Sequence, residues 1–236
     1  MALSFGVVED KLREAEFFLN HLHQASRHSF DSQCFFSAFV SAARSVTLAM
    51  QASLKGVPGF DLWYEGIRDQ LITDPLAPYF VEIRNDVVHA GINPLNRVSL
   101  EHLQEDLSRQ LRQQSRSHVL VLPDVKRQDS SVLVDAVQAC TVYYSSLVSV
   151  VFECYQEFRT VVDPRWYFTQ ENFDAMGRTL EDAVLELGFP PAWASCAPAG
   201  PGGWKALRLQ QPRCQIDDIF HRYLGRTIAD PDEVAS

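Results

Sequence analysis

Residues 33–55 read QCFFSAFVSAARSVTLAMQASLK. Phe35, Phe36, Phe39, Val46 and Met50 supply bulk, while Ser37, Ala38, Ser41, Ala42, Ala43, Ser45 and Ala49 are small. Small residues between bulky ones let a neighbour approach closely, so this segment is expected at the centre of a helical bundle. Arg44 is its only charge before Lys55, in a row with Ser37, Ser41 and Gln51. A polar row on a buried helix needs a use. Two readings stay open for Arg44: an internal ion pair or snorkelling side chain, and a candidate phosphate contact.

The segments on either side repeat the helical pattern. Upstream, Phe5, Val8, Leu12, Ala15, Phe18, Leu19 and Leu22 recur at three- and four-residue steps, predicting a helix over 5–28. Asp31 or Ser32 is placed to cap the 33–55 helix. Downstream, GVPG (56–59) is a loop, and 60–71 reads as a short helix with Trp63 and Tyr64. Asp74-Pro75 is a helix start signal, and Gly91 is placed as the C-terminal cap of the helix that follows.

Beyond 91 the reading is coarser. Residues 99–116 read as a polar helix. Its Arg109, Arg112 and Arg116 read first as a solvated basic face, and Arg109 and Arg112 second as candidate phosphate contacts. HVLVLP (118–123) reads as a short strand. Residues 130–158 are valine-rich but long, which favours a helix over a strand. A further helix is expected at 170–187, a Pro/Gly/Ala loop at 190–204, a strand at 206–210 and a short helix at 216–224.

Composition bounds the function. The 236 residues are 46% hydrophobic and 22% charged, which excludes a disordered or collagen-like chain. A net charge of −9 excludes coating of nucleic acid or acidic membrane through the overall field. No run of 18 uninterrupted apolar residues occurs, so no membrane span is expected, and the acidic start does not resemble a secretory signal. Five widely spaced cysteines without a CxxC pair read as reduced thiols in a cytoplasmic protein, not as metal ligands. GxGxxG, Walker, GxSxG and HExxH motifs are missing, so neither a cofactor nor a metal is expected. His21 and His23, two apart on a helix, face different directions and are expected at the surface.

DPLAPYFVEIRNDVVHAG (74–91) carries the chemistry. On an ideal helix Asn85, Asp86 and His89 cluster away from the core stripe of Phe80, Ile83 and Val87. Arg84 lies on the other flank, about 140° from His89. An imidazole that transfers a proton near neutrality, an amide and a guanidinium form a phosphodiester-cleaving set. The bland alternative is a capping histidine and a surface arginine.

Arg84-Asn85-Asp86-Val87-Val88-His89, with the small-residue helix at 37–51, resembles the HEPN superfamily (higher eukaryotes and prokaryotes nucleotide-binding domains) over residues 5–158. The resemblance implies an all-α, four- to five-helix bundle in 1–158, with 159–236 as a smaller mixed C-terminal extension. It also implies a homodimer whose two Arg/His motifs meet across the interface as a metal-independent endoribonuclease. Arg84, Asn85 and His89 would be catalytic, in a toxin or antiphage-type effector with an antitoxin or other partner protein. The alternative it leaves open is an inactive module that binds RNA, a nucleotide or a protein.

Overall fold

The computed structural model describes residues 5–26, 29–74, 76–91, 93, 95, 119–123, 131–196 and 200–234. The described chain is mostly helical, so the all-α expectation stands at that level. It forms two compact units, one of residues 10–147 and one of residues 1–9 with 148–236.

The first unit holds most of α1 (Gly6–Gln24), then α2 (Phe30–Ser53), α3 (Phe60–Thr73) and α4 (Ala77–Asn85). A π-helical turn over Asp86–Ala90 continues α4. Strands β1 (Val119–Pro123) and β2 (Ser131–Asp135) pair antiparallel, with Val121 opposite Leu133. Helix α5 (Ala136–Glu157) starts here.

α2 is the central helix its composition predicts. Phe36, Phe39, Val40, Ala43, Val46 and Met50 are all buried. Its cap is not Asp31 or Ser32. The Ser29 hydroxyl accepts from the Ser32 amide at 3.1 Å, so the helix begins three residues earlier than expected. A serine one step before the first apolar residue satisfies an orphan amide, whereas Asp31 and Ser32 already lie inside the first turn.

The expected helix from 130 is corrected at its start. Residues 131–135 are strand, because β-branched residues there find a partner strand in β1. Asp135 then caps α5, its carboxylate accepting from the Gln138 amide at 2.8 Å. α5 is long and apolar enough by composition to cross a bilayer, yet Tyr144 is fully buried and donates to the Leu12 carbonyl at 3.1 Å. The predicted helix at 99–116, with Arg109 and Arg112, lies outside the described residues.

The second unit continues α5 and adds short helices: α6 (Arg159–Val162), α7 (Pro164–Tyr167), α8 (Gln170–Ala175), α9 (Leu180–Glu186), α10 (Ala192–Cys196), α11 (Pro201–Arg208), α12 (Asp217–Leu224) and α13 (Pro231–Val234). Its described residues include no strand, so the extension is helical and not mixed. The expected helix over 170–187 is two helices, because Gly177 at φ 65° turns the chain. Thr179 and Asp182 restart it as a reciprocal capping box. The expected loop at 190–204 contains α10 and the start of α11. The expected strand at 206–210 is instead the end of α11 and the turn after it, since Trp204 and Leu207, three apart, both enter the core. That core is Tyr167, Phe168, Phe173, Ala183, Val184, Trp204 and Leu207. Within the same unit Phe5 meets Tyr155 edge-on, and Phe220 meets Phe152.

Two thiols sit deep. Burial pushes Cys154 up to about 12 and Cys140 well above its ordinary value. Such thiols are inert packing groups.

The packing yields a direct test. Phe39 is fully buried on α2, and Leu62 on α3 is 78% exposed. Phe39→Ala is expected to cost about 3–5 kcal/mol in chemical denaturation. Leu62→Ala should stay within about 0.5 kcal/mol. Equal losses would refute this assignment of the core.

Candidate functional site

The site is built from the start of α4. Asp74 Oδ1 accepts from the Leu76 and Ala77 amides at 2.8 and 2.9 Å, the cap that the Asp-Pro pair predicts. Phe80 then sets the rotation of the helix. It is buried, stacked on Tyr143 of α5 at 4.4 Å and 4°, and edge-on to Phe39 of α2 at 6.1 Å. With that face fixed, Asn85, Asp86 and His89 are exposed, and Arg84 is half-buried.

The helix does not end as an ideal one. Over Asp86–Ala90 it widens to a π turn, and the Gly91 amide closes it on the Asp86 carbonyl, five residues back. Gly91 takes φ 65°, a conformation glycine reaches at little cost. The next polar residue anchors the exit. Asn93 Nδ2 donates to the Gln33 carbonyl and to Ser37 Oγ, both at 2.9 Å, and its Oδ1 accepts from the Leu95 amide at 3.0 Å. Part of the polar row on α2 thus receives the chain leaving the π turn. Asn93 went unnoticed in the sequence; an amide two residues after a C-capping glycine is the only local signal for it.

The widened turn changes the site. On an ideal helix, Arg84 and His89 stand apart, and a second copy is needed to bring them together. Here Arg84 Nη1 lies 3.5 Å from His89 Nε2 within one chain. A turn closed by bonds to the fifth residue carries position 89 back over position 84. Arg84 Nη1 also donates to Asn85 Oδ1 at 3.1 Å. A guanidinium has only donors, so a hydrogen bond at this contact runs from Arg84 Nη1 to His89 Nε2. The Arg84 Nε is buried without a hydrogen-bond partner. The three sequence candidates therefore form one surface cluster: a fixed cation, an amide orienting it and an imidazole whose Nε2 faces the cation.

Arg44 serves elsewhere on α2. Its Nη1 donates to Thr47 Oγ1 at 2.9 Å. Gln51, from the same row, donates to the Tyr64 hydroxyl at 2.9 Å. Burial raises the Tyr143 hydroxyl to about 12, with the Arg44 charge opposing and Asp74 adding to the rise. The Arg44 charge thus acts on the hydroxyls of both Tyr64 and Tyr143. Arg109 and Arg112 fall outside the described residues. His21 leans on Phe17 at 4.1 Å between centroids, its Nδ1 2.9 Å from the Phe17 carbonyl oxygen. Among the described residues no three His, Cys, Asp or Glu side chains are grouped to hold a metal ion.

The fold and site define a mainly helical protein with an arginine–histidine surface cluster on a π turn. Residues 7–112, just under half of the chain, match the family model of bacteriophage lambda protein ea47. No curated protein and no solved structure matches the chain. The match corrects the HEPN resemblance, because the model that fits this segment is a different family. The short motif was a weak carrier: Arg97/His102 and Arg112/His118 show similar spacings in this same chain.

The anchor of the π turn can be tested by itself. Asn93→Ala is expected to lower the unfolding free energy by about 1–2 kcal/mol in urea titrations. Asn93→Asp should behave alike, since it lacks both donors. A neutral Asn93→Asp would show that the contacts to Gln33 and Ser37 do not hold the turn.

Proposed function

We propose that the Arg84–Asn85–His89 cluster binds and cleaves a phosphodiester of RNA without a metal ion. The observation that carries this reading is the 3.5 Å approach of the Arg84 guanidinium to His89 Nε2 on an exposed turn. A phosphate oxygen is a charged acceptor and competes for Arg84 against the imidazole nitrogen. Arg84 turning to the phosphate frees the Nε2 lone pair beside the bound group. His89 then takes the proton of the ribose 2′-hydroxyl, and that oxygen attacks phosphorus. The bond to the 5′-oxygen breaks, and the proton returns to that oxygen through the imidazolium or solvent. The products are a 2′,3′-cyclic phosphate and a 5′-hydroxyl. Asn85 positions the guanidinium, and Arg84 offsets the charge that develops on the phosphate.

Binding without cleavage is the second reading. Asp86, exposed next to Asn85, and the net charge of −9 both favour a small phosphate ligand over a long RNA.

RNA-cleavage time courses in EDTA separate the two. Wild type should release products ending in 2′,3′-cyclic phosphate. His89→Ala, folded to the same circular-dichroism spectrum, should be slower by about 100-fold or more. A substrate with 2′-deoxyribose at every position should stay intact. Intact RNA with folded wild type refutes cleavage; a nucleotide-dependent rise in melting temperature lost in Arg84→Gln would then establish the binding module.

A further inference from the structure

Two arginines of the second unit are nearly buried, and both find their carboxylates on one short segment. Arg165 of α7 pairs with Asp230, and Arg208 of α11 pairs with Asp232. Their side chains are 10% and 11% exposed. Between these pairs, Trp166 Nε1 donates to the Ala229 carbonyl at 2.8 Å, and the Arg159 guanidinium covers the Trp166 ring at 4.1 Å.

The segment that fills this groove is held by polar groups. From Ile228 to Glu233 only Pro231 is buried. The segment is also self-shaped: Asp230 Oδ1 accepts from the Asp232 amide at 3.0 Å, and Pro231 opens the turn. Asp-Pro-Asp thereby presents two carboxylates to two arginines.

The groove asks for a ligand of this kind. A guanidinium pairs best with a carboxylate, through charge-assisted hydrogen bonds. If the segment leaves, Arg165 and Arg208 both lose the carboxylate that pairs with them. The resident segment also leaves capacity unused, since Nε of Arg165 and Nε of Arg208 are buried with no partner. A cavity of about 400 Å³ adjoins, lined in part by Trp166, Trp204, Arg208 and Pro231.

We propose that this groove is a receptor for acidic Asp-x-Asp peptides, with residues 229–233 as its resident intramolecular ligand. Arginine clusters that read acidic motifs are a recurring recognition mode. A peptide of the same chemistry from a partner protein replaces the resident contacts one for one. The tethered segment competes through its high effective concentration, so the free chain is self-occupied.

The test uses the full chain and a fluorescent peptide of sequence Ile-Ala-Asp-Pro-Asp-Glu-Val, followed by anisotropy. Asp230→Asn/Asp232→Asn weakens the resident segment, and this variant should bind the peptide saturably. Wild type should bind at least about tenfold more weakly, because its own segment competes. Adding Arg208→Gln to the double variant should abolish binding, as should replacing both peptide aspartates by asparagine. Absence of binding by a double variant that melts cooperatively overturns the proposal. Undiminished binding of the asparagine peptide overturns it too. If the double variant does not fold, Asp232→Asn alone keeps the Arg165–Asp230 pair and is read in the same way.

Discussion

The stack of Phe80 on Tyr143, with Phe39 edge-on, is the contact on which the candidate site depends. Three large rings on α2, α4 and α5 meet in the core of the first unit, and their fit leaves α4 a single rotation about its axis. Every polar group at its far end inherits its direction from that choice. Asp74 holds the start of the helix, Phe80 sets its face, and Asn93 ties its exit to α2. Between these points the helix widens to a π turn over Asp86–Ala90.

That widened turn has a chemical consequence. Regular geometry would separate a guanidinium and an imidazole five positions apart. The widened turn sets them within 3.5 Å. The stripe on α2 has several uses: Ser37 receives Asn93, Gln51 reaches Tyr64 on α3, and Arg44 bonds Thr47 within α2 itself. Polar residues on a buried helix are costly unless partnered, and here each of these three has a partner.

The second unit follows a different logic. Its core of aromatic residues is assembled from helices of only four to eight residues besides α5, too short to be stable alone. Tertiary contacts hold them: Tyr167 and Phe173 meet edge-on, and Trp204 leans on Phe173. Across this scaffold runs a segment tied by charge and hydrogen bonds, with little apolar burial. A packed core and a polar strap in one unit separate what is fixed from what can exchange.

Local signals in the sequence determined much of this. The small-residue pattern of α2, the Asp74 cap, the Gly91 terminus and the presence of Arg84, Asn85 and His89 on one helix end were legible, because caps and periodicity act over a few residues. The tertiary structure alone decided the rest. Residues 131–135 become strand only because β1 lies beside them, and a valine-rich run fits helix or strand equally well without a partner. Residues 206–208 are helical, with Leu207 joining Trp204 in a core built from distant segments. The π turn lies between the rings packed on α4 and the Asn93 anchor to Ser37, a partner fifty-six residues away. Arg165 and Asp230 pair across a separation of sixty-five residues. Such contacts leave no period in the sequence, since their energy comes from groups that only folding brings together.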